Sequence, residues 1–249
     1  MKNYNGNIVF EHSPRIAGYA SVVGKKEGEG PLRDYFDRII HDSYAGKDTF
    51  EQAESRMMSV AVQSALDKGH FSPADIDLAC CGDLLNQCVA SSFAMRRFGI
   101  PYAGIYGACS TMALSMIVAA VAADSGAARR AVCASSSHYC TAERQYRFPL
   151  EYGSQRPPTA QWTVTGAGAC VIESEGGSDT ERNSGEIGAY TNTASKDGAA
   201  TASGNLPTLQ NSAMPVIRAA RLGRIVDYSI TDQNNMGAAM APAVVKMGT

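Results

Sequence analysis

The stretch PYAGIYGACSTMALSMIVAAVAA, residues 101–123, decides the fold of this chain. Its first six residues are mostly apolar and predict a buried strand, while residues 112–123 predict a buried helix. Cys109 lies in the turn between them, where backbone N–H groups point outward and the helix dipole stabilises a thiolate. That position suits an acyl-transfer nucleophile, although on position alone an inert core cysteine is the more common explanation.

Strands and helices are predicted to alternate on both sides of this stretch. The predicted strands are residues 15–24, 75–81, 130–135, 163–173 and 216–228. The predicted helices are residues 32–41, 48–68, 87–98 and 235–246, of which 48–68 has the clearest amphipathic pattern. This order predicts an α/β fold with a mixed, mostly parallel sheet covered on both faces by helices.

Ligands of such sheets bind beyond the carboxyl ends of the strands, where three polar segments are expected: residues 82–87, 108–111 and 135–161. In the first segment, Asp83 and Asn86 could orient a ligand, or simply cap the next helix. In the second, Cys109 and Ser110 would present backbone N–H groups to the ligand. Convergence of the three segments is better evidence for a site than any one of them.

The third segment concentrates a histidine and two arginines. His138 could be a base or could donate to a carboxylate, but a lone histidine is more often structural. Arg144 and Arg147 could hold a dicarboxylate with their forked donors, which is the usual reason for arginine over lysine. A surface loop in which these arginines pair with nearby glutamates explains them equally well.

Composition argues against several classes of function. The 249 residues carry a net charge of −2, which gives no electrostatic footprint for nucleic acid. No apolar run approaches the roughly 18 residues of a membrane span, and the N-terminus lacks the apolar core of a secretion signal. The seven cysteines have no paired spacing, which predicts reduced thiols, no structural zinc and no other metal site.

Composition also divides the chain into three parts. Residues 1–175 form the α/β part described above. Residues 176–214 are rich in Ala, Thr, Ser, Asn and Gly, and we expect a flexible insert because they cannot bury enough apolar surface. In residues 215–249 a strand and helix pattern returns, and the helix predicted at 235–246 ends the sequence with nothing to pack behind it.

Several motifs, in order along the chain, resemble the stage V sporulation protein AD family, thiolase-fold proteins of spore-forming bacteria. They are CGDLLNQ at 81–87, GACST at 107–111, SSH at 136–138, TAERQYRFP at 141–149 and GRIVDY at 223–228. The resemblance implies a thiolase-like fold, of which this chain holds the first βαβαβαβ half and, in residues 215–249, the start of the second. The C-terminal half is then expected to be missing, either by truncation or because a partner supplies it.

The resemblance also implies a function. The family binds dipicolinic acid (pyridine-2,6-dicarboxylate) and takes part in loading it, with calcium, into the developing spore. This implies dipicolinate as the ligand, free or as its calcium complex, with no cofactor. It implies as partners the membrane proteins of the same stage V sporulation A operon, with no nucleic acid. The expected location is the cytoplasmic face of the spore inner membrane, or the mother-cell or forespore cytoplasm. A homodimer paired through the strand at 130–135 is also expected.

The alternative is an enzyme: a thiolase or ketoacyl-synthase-like acyltransferase with Cys109 acylated by a thioester. Within this chain only His138 could supply the base, and the downstream histidines of the thiolase fold are absent, which favours a protein without catalytic residues. The predicted ligand site consists of Asp83, Asn86, Cys109, Ser110, His138, Arg144 and Arg147.

Overall fold

The computed structural model describes residues 1–146, 162–174, 214–224, 226–231 and 236–248. The strands are β1 (Lys2–Tyr4), β2 (Asn7–Val9), β3 (Arg15–Gly24), β4 (Arg38–Ile40), β5 (Leu78–Gly82), β6 (Tyr102–Gly104), β7 (Arg130–Ser137), β8 (Gly166–Glu173) and β9 (Ala219–Arg221). The helices are α1 (Lys25–Gly28), α2 (Phe50–Lys68), α3 (Val89–Arg96), α4 (Thr111–Asp124), α5 (Tyr139–Tyr146) and α6 (Met236–Gly248). Arg147 and the expected insert, apart from Met214, lie outside the described residues.

A six-stranded sheet with the order β4-β3-β8-β7-β5-β6 forms the centre of the molecule. β8 runs antiparallel to both of its neighbours, and every other pairing in this sheet is parallel. β5 and β7 are apolar or small at nearly every position and buried on both faces, as strands between two helical layers must be. The expected α/β class with a mixed, mostly parallel sheet is confirmed.

Helices cover both faces of this sheet. α2 and α3 pack on one face, where Met57, Met58 and Leu66 contribute to the larger apolar core. α4 packs on the other face, with its buried alanines against Cys80 and Cys133. α2 begins after Thr49, whose hydroxyl accepts a hydrogen bond from the Gln52 N–H (3.3 Å), so the N-cap lies one residue after the Asp48 that the sequence suggested.

A second, smaller sheet has the order β1-β2-β9. β9 pairs with β2, and the Ile217 N–H donates to the Pro14 carbonyl (2.7 Å), so the segment near residue 217 lies beside the start of the chain. The strand predicted at 216–228 is therefore much shorter than expected. The division of the chain into three parts remains a prediction. No helix within the described residues combines the length and apolar character that crossing a membrane requires.

Three predictions are wrong in this fold. The helix predicted at 32–41 is a short 3-10 turn at Arg33–Tyr35 followed by β4, because Ile39 and Ile40 favour a strand beside β3. The segment at 135–161, expected to be a loop, contains α5. The strand expected to pair with a second subunit, β7, has β5 on one side and β8 on the other, so it has no free edge.

Candidate functional site

A cavity of about 990 Å³ lies at the carboxyl ends of β3, β5 and β7, next to the N-terminus of α4. Each of the three segments expected to converge there contributes to its wall. Phe36 and residues 162–164 also line it. The lining residues are Ser21, Val22, Val23, Phe36, Asp83, Leu84, Ala108, Cys109, Thr111, Met112, Ser135, Ser136, Ser137, Ala142, Glu143, Trp162, Thr163, Val164, Gly166, Ala167 and Gly168.

The floor of the cavity is formed by the sheet itself. Ser21, Gly168 and Ser135 are in register on three adjacent strands, β3, β8 and β7. Cys170 on β8 and Cys133 on β7 each lie two residues away from this row, and both pack with α4. Because side chains alternate along a strand, Gly168 and Ser135 also lie on the face of the sheet that α4 covers. A Cβ atom added at Gly168 would meet no heavy atom within 4 Å. The floor is therefore flat and open at this position.

The cysteine turn is held by its own polar groups. Ala108 adopts a left-handed conformation (φ 46°), which is strained for a residue other than glycine. The Gly107 N–H donates to the Thr111 hydroxyl (3.1 Å), which itself donates to the Ala108 carbonyl (2.8 Å). The Ser110 hydroxyl donates to the Gly107 carbonyl (2.7 Å). Ser110 therefore closes the turn rather than lining the cavity.

Cys109 is exposed at this turn and lines the cavity, whereas five of the other six cysteines are buried and Cys140 is partly buried. The thiol lies at the N-terminus of the 14-residue helix α4, the positive end of the helix dipole. Burial raises the pKa of Cys80 to about 11 and also raises the pKa of the Cys133 thiol. Cys109 is therefore the cysteine best placed for chemistry or for ligand contact.

Asp83 lines the cavity, but both of its oxygens are engaged by backbone groups. One accepts from the Leu85 N–H (2.9 Å) and the other from the Ser91 N–H in α3 (2.7 Å). The carboxylate thus fixes the turn after β5 and caps α3. Asn86 is exposed and exchanges two hydrogen bonds with Gln145 of α5 (2.9 and 3.2 Å), which joins the first and third segments.

His138 is 2% exposed and does not line the cavity. Its Nε2 lies 2.9 Å from the Ser43 carbonyl, and its Nδ1 accepts from the Cys140 N–H (3.2 Å). The ring also stacks on Phe50, with centroids 5.0 Å apart. Burial lowers the pKa of this histidine. Both ring nitrogens are engaged, so the structure uses His138 to connect β7, α2 and the Ser43 segment.

The arginines differ from the sequence expectation. Arg144 is exposed and forms an ion pair with Glu51 of α2. Arg147 is outside the described residues. Among the described lining residues the charged groups are the carboxylates of Asp83 and Glu143. A cation lies nearby, because the Lys26 ammonium is 3.2 Å from the ring centroid of Trp162, which lines the cavity.

Sequence reasoning placed Ser135 at the start of the third segment without singling it out, and it missed Gly168 and Glu54. Glu54 is fully buried beside the cavity, where it accepts hydrogen bonds from the hydroxyls of Ser136 (3.1 Å) and Thr141 (2.8 Å). Burial, above all, raises its pKa to about 7. The available signal was its position, since Glu54 falls one turn after Phe50 on the apolar stripe of α2.

No group of three or more candidate metal ligands occurs within the described part of the chain. Residues 5–248 match the family model of stage V sporulation protein AD. Stage V sporulation protein AD of Bacillus subtilis strain 168 is 38% identical over 235 residues, which cover 94% of this chain and 59% of that protein. The chain therefore spans about three-fifths of the length of this relative.

Two solved structures of other proteins resemble part of this chain. The 3-oxoacyl-[acyl-carrier-protein] synthase III of Aquifex aeolicus is 17% identical with a TM-score of 0.45, over 64% of this chain and 53% of that one. OleA of Xanthomonas campestris with cerulenin is 17% identical with a TM-score of 0.47, over 67% of this chain and 58% of that one.

Proposed function

Because this chain belongs to the stage V sporulation protein AD family, we propose that it binds dipicolinate and takes part in the uptake of dipicolinate, with calcium, into the developing spore. The observation that carries the binding role is the cavity beside Cys109. Its volume of about 990 Å³ is ample for one substituted aromatic ring. Its open floor at Gly168 suits a flat ligand, and its apolar walls and hydroxyl groups suit a ring that carries carboxylates.

The charges near the cavity support a binding mode based on N–H and O–H donors. The N-terminus of α4 provides the positive end of a helix dipole, which favours a carboxylate at the Cys109 turn. Both oxygens of Asp83 accept hydrogen bonds from backbone N–H groups, and these offset part of the repulsion between Asp83 and a ligand carboxylate. We propose that Arg147 completes the site with its forked donors, as the sequence predicts.

Calorimetric titration with dipicolinate, with and without calcium, tests the binding role, with pyridine-2-carboxylate as the one-carboxylate control. We expect saturable binding that the control compound does not reproduce. The variant Gly168→Leu should abolish binding without loss of folding, because a Cβ at this position meets no heavy atom within 4 Å and the rest of the side chain would occupy the cavity. Ala127→Leu, in an exposed turn, is the matched control and should bind like wild type. Cooperative unfolding without any dipicolinate binding would contradict the proposal.

A second candidate function, acyl transfer, is favoured by one observation: Cys109 is exposed at a helix N-terminus and lines the cavity. None of the four histidines of the chain is among the described lining residues, and both ring nitrogens of His138 are engaged. The base that such a thiol needs is therefore not supplied by a histidine in this structure. We propose a binding protein rather than an acyltransferase on this ground.

Alkylation of Cys109 distinguishes the two functions when its rate is compared with that of free cysteine. Cys109 will react faster than the other cysteines through exposure alone, so the informative quantity is the pH profile of its rate against that of free cysteine. The binding protein predicts that Cys109 is alkylated but is not acylated by a thioester. A rate sustained at pH 6, with stable acylation by a thioester, would favour the enzyme.

A further inference from the structure

Glu54 is separated from the cavity by a single hydroxyl group. Its Oε1 accepts from the Ser136 hydroxyl (3.1 Å), and Ser136 lines the cavity. Its Oε2 accepts from the Thr141 hydroxyl (2.8 Å), which is next to the lining residues Ala142 and Glu143. Val22, Ala167 and Ser136 are in register on β3, β8 and β7 and face α2, on the side of the sheet opposite Gly168 and Ser135. Glu54 therefore lies against the α2 side of the cavity, in contact with it through hydroxyl groups that can either donate or accept.

Among the described charged groups around Glu54, none is a cation that pairs with it. Asp83, after β5, and Glu51, one turn earlier on α2, both disfavour its ionised form. From the β7–α5 segment come His138, whose pKa is lowered by burial, and Arg144, which pairs with Glu51. β3 and β8 carry Arg15 and Glu173 at the opposite end of the sheet, where they pair with each other (2.7 Å). Glu143, on α5, adds another negative group on the cavity side.

We propose that the site takes up its anionic aromatic ligand together with one proton, and that Glu54 holds this proton. This inference rests on the proposed dipicolinate binding. A carboxylate of the ligand at Ser136 would draw the Ser136 hydroxyl away from Glu54. Glu54 would then lose a donor and gain a negative neighbour, and both changes favour its protonated form. The protonated carboxyl donates to the Ser136 oxygen, which in turn donates to the ligand.

The direction of the pH dependence follows from this chain of hydrogen bonds. The pKa of Glu54 in the free protein is about 7, and the bound anion raises it further. Proton uptake therefore occurs between the free and the bound pKa, and affinity rises as pH falls through that window. The carboxyl groups of the ligand are themselves ionised above pH 6 and do not contribute. For a shift of about one unit, binding is roughly sixfold tighter at pH 6.5 than at pH 8.5.

Calorimetric titration of the wild-type chain with dipicolinate, at pH 7.5 in phosphate and in Tris, measures the number of protons taken up. We expect uptake of a fraction of one proton per ligand. Glu54→Gln mimics the protonated carboxyl and should bind with pH-independent affinity and no uptake. Ser136→Ala removes the connecting hydroxyl and should reduce the uptake. Asp67→Asn changes an exposed carboxylate on the same helix and should leave the uptake unchanged.

The possible results separate this inference from the proposed function. Binding by the wild type without proton uptake overturns the inference and leaves the dipicolinate role intact. Uptake that persists unchanged in Glu54→Gln assigns the proton to another group and also overturns it. If Glu54→Gln does not fold, the two-buffer measurement on the wild type and on Ser136→Ala decides. No heat of binding at any pH overturns the dipicolinate role, and the inference falls with it.

Discussion

The buried carboxyl of Glu54 should make the stability of this protein depend on pH even without a ligand. Its pKa of about 7 in the folded state lies above the usual value of 4.5, mainly through burial. The folded state therefore holds this proton more tightly than the unfolded state. The resulting stabilisation is complete below pH 4.5 and is lost as pH rises through 7.

We expect Glu54→Gln to remove this dependence, because its amide keeps the shape of the protonated acid. In urea unfolding, the variant should gain about 2 kcal/mol relative to wild type when pH rises from 5.5 to 8.5. Asp67→Asn, an exposed change on the same helix, should show no such gain. An equal stability difference between Glu54→Gln and wild type at both pH values would contradict this account.

Gly82 is the residue on which the close packing of the cysteine turn depends. A Cβ at this position would lie 1.7 Å from the Ile105 carbonyl oxygen and 2.8 Å from the Thr111 methyl group. Backbone cannot give way as a side chain can, so β5 would have to move away from the turn. We expect Gly82→Ala to cost about 2–4 kcal/mol in denaturant unfolding. Gly168→Ala, which meets no atom within 4 Å, is the control and should be nearly neutral.

At the scale of elements, Asp83 attaches α3 to the end of β5. Its buried oxygens accept from the Leu85 and Ser91 N–H groups, and Asp83→Asn replaces one acceptor by a donor that faces an N–H. We expect a loss of about 1–3 kcal/mol by thermal or urea unfolding. Asp42→Asn is a matched control, since the exposed Asp42 also accepts from two backbone N–H groups and water can replace them. Equal losses in the two variants would show that burial of the cap is unimportant.

Long helices were predicted correctly from the sequence, whereas several short elements were not. The apolar stripe of α2 and the apolar run of α4 are long enough for the pattern to determine both type and position. A 3-10 turn and β4 stand where a helix was predicted at 32–41. β4 is only three residues long and forms because it pairs with β3, and this pairing cannot be seen in the local sequence pattern. The length of β9 is likewise set by β2, some 210 residues away.

The candidate site was predictable in place but less so in detail. Strand order placed residues 82–87, 108–111 and 135 onward at one edge of the sheet, and the cavity lies there. The sequence could not show that His138 is held by Ser43 or that Arg144 pairs with Glu51, because those partners come from distant segments. Gly168 was missed because its contribution depends on which face of the sheet it lies on, and that is set by its pairing with Ser135 on β7. The role of Arg147 stays a prediction.

At the scale of the whole molecule, the sheet order moves the expected dimer contact to another strand. β7 is hydrogen-bonded on both sides, whereas β6 ends the order of the described strands with one side unpaired. An unpaired edge strand is a ready template for a second chain. Beside it, α3 exposes Val89 and Phe93 one turn apart, with Phe93 62% exposed. A two-fold contact through β6 and α3 would cover both the unpaired backbone and these side chains.

We therefore expect a homodimer that depends on Phe93. Phe93→Lys would place an ammonium opposite its own copy across the two-fold axis, where repulsion and desolvation both oppose association. In sedimentation velocity the variant should run as a monomer at concentrations where the wild type is a dimer. Leu222→Lys, an exposed apolar residue beside the smaller sheet, is the control and should leave the dimer intact. A wild-type chain that sediments as a monomer would contradict the homodimer, and a dimeric Phe93→Lys would place the contact elsewhere.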